Sequence, residues 1–169
     1  KLLSSTRHSL DLLLEQVKLF RKNLLKATRM VRELSKKSLY TQRYENLISI
    51  PGIGIVTAMS ILTEIGDASR FHNQREFASF LGLIPSCHSS GESIASAEKT
   101  FRGNKHLGAL VIESAWISIR HDRAMAMAYG EYCKRMKAQE AIIRVARKMS
   151  NRILSVLKSG KKYQYDKIR

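Results

Sequence analysis

The chain has 169 residues, enough to bury a sizeable core, and 44% of them are hydrophobic, as in a folded globular protein rather than a disordered one. Thirty lysines and arginines stand against 14 acids, a formal net charge of +16 that predicts a polyanionic partner, with nucleic acid the expected one. No run of about 18 apolar residues, no secretory signal and no cysteine pairing pattern (only Cys87 and Cys133 occur) is present, so membrane partners, a disulfide framework and a zinc site are set aside and a reduced, cytoplasmic protein is expected.

The charge is lopsided. Residues 1–98 carry 13 basic against 9 acidic groups, a net of +4, and residues 99–169 carry 17 against 5, a net of +12. The second half is the expected phosphate-facing half.

Residues 1–38 read as one long helix. Leu3, Leu10, Val17, Leu24 and Val31 recur every seven residues, and Leu13, Phe20, Ala27 and Leu34 follow three residues after four of them. That is the seam of a coiled coil, expected over residues 1–40, and it predicts a homo-oligomer or a helical hairpin. The chain opens at Lys1, already inside the helical pattern, and is expected to be part of a longer protein.

A short helix is expected from Thr41 to Ser49, followed by Ile50-Pro51-Gly52-Ile53-Gly54-Ile55 and a helix whose stripe is Ile55, Ala58, Met59, Leu62 and Ile65. A Pro-Gly-Ile-Gly turn between two helices resembles the helix-hairpin-helix motif, here about 45–66. Gly52 and Gly54 let backbone approach a ligand, and the amides that open the second helix suit a phosphate. Gly52, Ile53, Gly54 and Thr57 are therefore candidate DNA-backbone contacts, independent of sequence. Gly66 ends that helix, and Asn73 with Glu76 predicts a capped start for a short helix bearing Phe77, Phe80 and Leu81.

From Gly82 to Asn104 helical periodicity lapses. Gly82-Leu83-Ile84-Pro85-Ser86-Cys87-His88-Ser89-Ser90-Gly91 concentrates small hydroxyls, a histidine and a cysteine between helical blocks, and a weak hairpin is expected between Gly91 and Gly103. The remaining stretch, 105–160, reads as basic helices: Leu107–Arg120, nearly apolar all round and placed centrally; an Asp122-capped helix to about Lys137; and Gln139–Lys158. In the last, Ile142, Ala146, Met149, Ile153 and Val156 form the buried face, and Arg144, Lys148 and Arg152, with Arg147 adjacent, form a basic ridge expected to meet nucleic acid. The fold class is mainly α: a long coiled-coil helix followed by a compact helical domain.

Pro51-Gly52-Ile53-Gly54, Glu64-Ile65-Gly66-Asp67, Arg70-Phe71, Gly82-Leu83-Ile84-Pro85, Ser89-Ser90-Gly91, Arg102-Gly103-Asn104 and Ala115-Trp116 follow in an order and spacing that resembles the C-terminal transposase domain of the insertion-sequence-110 family, which includes the Piv and MooV invertases. The likeness covers about residues 45–166 and places that domain within 41–169. It implies a DNA transposase or site-specific recombinase, in many members directed by a structured guide RNA. It also implies a RuvC-like N-terminal domain with a four-carboxylate magnesium site, joined by a coiled coil to the C-terminal domain. No cofactor is assigned to the present residues, and Mg²⁺ is expected in that other domain.

The resemblance places the catalytic nucleophile at Ser90, in the Ser-Gly pair after the Gly-Leu-x-Pro segment. His88 is an alternative general base to the distant carboxylates, and Arg102 and Lys105 are candidates to stabilise the phosphoryl charge, with Asn104 beside them as a DNA contact. The sequence departs from the family pattern at Phe101 and Gly108, where relatives commonly carry basic residues. Two other readings stand beside the enzyme: a non-catalytic helix-hairpin-helix module that docks DNA or RNA, and a coiled-coil oligomerisation adaptor. On the enzyme reading, these residues alone are expected to be inactive.

Overall fold

A computed structural model describes residues 4–84 and 103–165, and the described residues form seven α-helices and one short 3-10 turn, with no strand among them. Helix α1 (Ser4–Ser35) runs as the heptads predict, but only its C-terminal end meets the rest. Val31 and Leu34 pack against the core, whereas Leu10, Leu13, Val17, Phe20 and Leu24 are exposed, Phe20 by 67% and Leu24 by 68%. The expected single helix over 1–38 stops at Ser35. Lys36 and Lys37 turn the chain, and Lys37, in extended conformation, caps α2 (Ser38–Ile48), which starts three residues before the expected Thr41. The break lets Leu34 and the two tyrosines Tyr40 and Tyr44 pack on the same core.

Helix α3 (Ile55–Ile65) has the predicted bounds. Gly66 ends it at φ +63, a conformation that favours glycine. A 3-10 turn over Ala68–Arg70, capped by Asp67, leads to α4 (Gln74–Phe80). Asn73 caps α4 through Oδ1, which accepts from Glu76 N at 2.9 Å, while Glu76 reaches back one residue further than a capping box, Oε1 accepting from the Asn73 side-chain Nδ2 and Oε2 from His72 N at 2.8 Å. Phe71 and Phe77 meet edge to face at 5.0 Å between ring centres.

Helices α5 (Lys105–Ser118), α6 (Arg123–Cys133) and α7 (Ala138–Ser159) complete the fold. The centre is α7, not α5 as expected. Its 22 residues bury Ile142, Val145, Ala146, Met149, Ile153 and Val156 and touch α2, α4, α5 and α6. Helix α5 is closed on one side only: Leu107, Val111 and Ala115 are fully buried, Ile117 is 47% exposed, and Trp116 lies half-buried at the core edge, edge-on to Tyr129 at 5.7 Å. Apolar composition placed it centrally, but a longer, strongly two-faced helix reaches more neighbours.

The segment after α7 folds back as a strap. Gly160 closes α7 in the left-handed region, its carbonyl accepts from buried Asn46 Nδ2 at 2.7 Å, and Tyr163 N donates to Ser49 Oγ at 2.7 Å. The strap is thereby tied to the end of α2, immediately before the glycine turn.

Candidate nucleic-acid interface

The glycine turn between α2 and α3 packs most of its side-chain positions inward. Gly52 has φ +94, and a Cβ there would lie 2.1 Å from Ser114 O and 3.1 Å from Ser118 N. The neighbour that its missing side chain admits is α5, not a ligand. Ile53 is buried, and Thr57 is buried with its Oγ1 3.5 Å from Ser114 Oγ. Three of the four predicted contacts therefore turn their side chains, or the space where one would be, inward. Gly54 is exposed, nothing lies within 4 Å of its Cβ position, and α3 begins there with no side-chain cap. Its first-turn amides are the part of this turn open to an anion.

Of the residues predicted to carry chemistry, Ser90, His88 and Arg102 lie outside the described residues. The two ends of that stretch are described, and they converge. Gly82 has φ +66, and a Cβ on Gly103 would stand 2.4 Å from Gly82 N. Asn104 N donates to Phe80 O at 2.7 Å, and Leu83 N to Ala78 O at 2.9 Å. The chain leaves and re-enters at one point, between the end of α4 and the start of α5. Asn104 is engaged there at both ends of its amide: Oδ1 accepts from Leu107 N at 3.0 Å, and Nδ2 donates to Glu64 Oε2 at 3.1 Å. Asn104, a predicted DNA contact, thus caps α5 and ties it to α3. Lys105 is exposed in the first turn of α5. Gly108 has a packing reason to lack a side chain, because a Cβ would meet Leu81 O at 2.3 Å.

The basic ridge of α7 divides. Arg144, Arg147 and Lys148 are exposed, and the same face continues through Ser155 to Lys158. That face borders a cleft of about 430 Å³ lined by His72, Gln74, Leu154, Ser155 and Lys158. Arg152, placed on the ridge by its spacing of four, points the other way. Its side chain is 20% exposed and pairs with Asp122, which is fully buried. Asp122 Oδ1 also accepts from Ala124 N and Met125 N as the α6 cap, and Tyr163 donates its hydroxyl to Asp122 Oδ2 at 3.2 Å. The Arg152 guanidinium stacks 4.9 Å from the Tyr163 ring centre. Both charges are thus satisfied internally, and Arg152 is a core anchor rather than a phosphate contact. Sequence reasoning missed Lys158 as the end of the exposed stripe, although residues 144, 148, 155 and 158 follow helical spacing. Lys158 Nζ donates to Phe71 O at 2.6 Å.

Exposed acids near these surfaces are held by local donors. The Ser69 hydroxyl, then its backbone N–H, draw the Asp67 carboxyl below the usual carboxylate range. The His72 backbone N–H does the same for Glu76, and Lys134 for Glu131. Among the described residues no three His, Cys, Asp or Glu side chains converge as a metal site. No described helix is long and apolar enough to cross a membrane.

A family model described as the transposase IS116/IS110/IS902 family matches residues 44–130. The chain is 36% identical over 89 residues to the transposase for insertion sequence element IS1111A of Coxiella burnetii, covering 53% of this chain and 24% of that protein. It is 32% identical over 119 residues to the insertion element IS110 uncharacterized 43.6 kDa protein of Streptomyces coelicolor, covering 70% and 29%. It is 32% identical over 124 residues to the pilin gene-inverting protein of Moraxella bovis, covering 69% and 37%. The chain thus spans about a quarter to somewhat over a third of the length of these relatives.

Proposed function

The chain belongs to the IS116/IS110/IS902 transposase family, and from that membership we propose that it is the nucleic-acid-gripping, serine-bearing part of a DNA transposase or recombinase. The observation that carries this reading is the match over 44–130, which runs through the glycine turn, the point where the chain leaves and returns near Gly82 and Gly103, and the whole of α5. The exposed cations of α7 supply the electrostatic grip such a role requires.

In this reading the Ser90 hydroxyl attacks a phosphorus of the DNA backbone. A bond forms between Ser90 Oγ and phosphorus, the phosphorus–oxygen bond to the leaving sugar breaks, and the hydroxyl proton passes to a base. Attack on the serine phosphodiester by a second DNA hydroxyl rejoins the strand and restores Ser90. The base is His88 or the carboxylates of another domain, and Arg102 and Lys105 oppose the developing charge. Magnesium belongs to that other domain. Among the described residues no three acids converge to hold it. The exposed seam of α1 supports pairing with a second helix, in a homo-oligomer on this reading, and a structured guide RNA is a second polyanion for the basic face.

The test uses the intact protein with DNA ends. Denaturing electrophoresis should show a covalent protein–DNA adduct that disappears in Ser90→Ala while DNA binding persists. An adduct of undiminished yield in Ser90→Ala removes Ser90 from the mechanism.

A further inference from the structure

Arg70 closes the 3-10 turn and is exposed. Its guanidinium carbon lies 4.7 Å from the centre of the Phe71 ring and 4.9 Å from that of Phe80, and those rings are themselves 5.3 Å apart. Phe71 is buried and edge-on to Phe77, so this platform is fixed by the core. The position in the fold is specific. Phe80 carries the carbonyl that accepts Asn104 N, one step before the contact of Gly82 with Gly103. Arg70 therefore stands on the rim of the point where the chain leaves and re-enters, beside the first turn of α5.

Among the described residues Arg70 makes no ion pair. The nearest acid in sequence, Asp67, is turned to Ser69, whose N–H donates to it at 2.9 Å, and Glu64 is turned to Asn104. Stacking on aromatic faces engages the flat side of a guanidinium and leaves the N–H fork at its edge available. That fork matches two oxygens of a phosphate, and a pre-oriented side chain loses less rotamer freedom on binding. Two aromatic rings hold the Arg70 guanidinium, and no described acid pairs with it.

We propose that Arg70 is a phosphate-binding residue, and that Phe71 and Phe80 form the platform that aims its fork at a backbone phosphodiester of the strand bound at the α4–α5 junction. The proposal rests on the nucleic-acid reading above. It adds a contact away from the sequence-predicted glycine turn, at a residue whose motif had no assigned role.

The test compares wild type, Arg70→Gln and Arg70→Lys in the intact protein, titrated with a DNA duplex and with a single-stranded RNA over a range of salt. In Arg70→Gln, the slope of log K against log salt should shrink by about 0.9 on the duplex if DNA supplies the phosphate, or by roughly 0.7 on RNA if a single strand does. Affinity should fall about tenfold or more, as for loss of a charge-assisted hydrogen bond. Arg70→Lys should keep the slope and still lose several-fold in affinity, because lysine has the charge without the fork. An unchanged slope in Arg70→Gln on both probes overturns the assignment, even where Lys148→Gln weakens binding. A slope that shrinks equally in Arg70→Lys overturns it too, since the residue would then act through folding. Wild-type protein that binds neither probe removes the nucleic-acid reading itself.

Discussion

Gly52→Ala separates the two roles that the glycine turn can play. At φ +94 an alanine is strained, and its Cβ would stand 2.1 Å from Ser114 O. A backbone held in that region costs a non-glycine residue about 1–3 kcal/mol. Forcing a methyl into a closed contact adds about 1–3 kcal/mol, because α5 must shift or the turn must open. The expected loss is therefore roughly 2–6 kcal/mol, against a total stability of about 5–15 kcal/mol. For a protein of this length each kcal/mol moves the thermal midpoint by about 2–4 °C, so the midpoint should fall by roughly 5–20 °C. Gly54→Ala is the matched control. Its φ is −93 and its Cβ position is open. It should cost under about 1 kcal/mol, the scale of a changed helix cap. Thermal and urea unfolding of both variants, with nucleic-acid titration at a temperature where both are folded, gives the answer. Gly52→Ala with the wild-type midpoint and weakened binding would refute the packing argument and restore Gly52 as a ligand contact.

On α7, the double substitution Arg144→Gln with Lys148→Gln should leave the unfolding midpoint near wild type and shrink the salt slope by about 1.8 on duplex DNA, two phosphates' worth. Arg152→Gln should do the reverse. It should keep the slope and lose about 3 kcal/mol or more in urea unfolding, because Asp122 would stay buried without its partner. At Asp67 the carboxyl is held below its ordinary pKa by the Ser69 hydroxyl and then the Ser69 N–H. A depressed folded pKa stabilises the fold above the unfolded value, and that contribution is lost as pH falls through the folded one. Ser69→Ala should raise the Asp67 pKa toward the ordinary value in an NMR titration, shrinking this acid-labile contribution and moving the pH at which its loss is complete upward, while the onset stays at the unfolded value. An unchanged Asp67 titration in Ser69→Ala would show that the hydroxyl contributes nothing.

What the sequence revealed was local. Period-3.6 apolar stripes and short-range caps predicted α3 from Ile55 to Ile65, the buried face of α7, and the caps at Asn73 and Asp122, because each depends on neighbours within a turn or two. The lysine pair that interrupts α1 and α2 carries no proline or glycine, so propensity alone ran the helix through it. Long-range choices were hidden. Gly52 lies against Ser114, Gly108 against Leu81, and Arg152 against Asp122, and no local pattern distinguishes an arginine that meets a buried aspartate from one that meets solvent. The heptads of α1 were legible as an apolar seam. What covers that seam is a property of other chains or segments, which periodicity does not encode.

These placements bear on how a net charge of +16 is used. A basic protein can dissipate its charge in surface ion pairs or hold it in reserve. Here Asp122, Glu64, Asp67 and Glu76 accept from caps, amides and hydroxyls of the fold itself. Asp122 alone of these four also neutralises an arginine. The carboxylates stabilise helix starts and junctions, and Arg144, Arg147 and Lys148 of α7 and Arg70 of the 3-10 turn face solvent with no ion pair among the described residues. A field built this way acts beyond contact distance and is screened over about 8 Å at physiological salt. It attracts a polyanion before any specific contact forms, while the acid-stitched junctions keep α3, α4 and α5 in register at the point where the chain between Ile84 and Gly103 departs and returns. Adding carboxylates beside Arg144 and Lys148 should therefore slow association more than it speeds dissociation, a split that stopped-flow binding at two salt concentrations resolves.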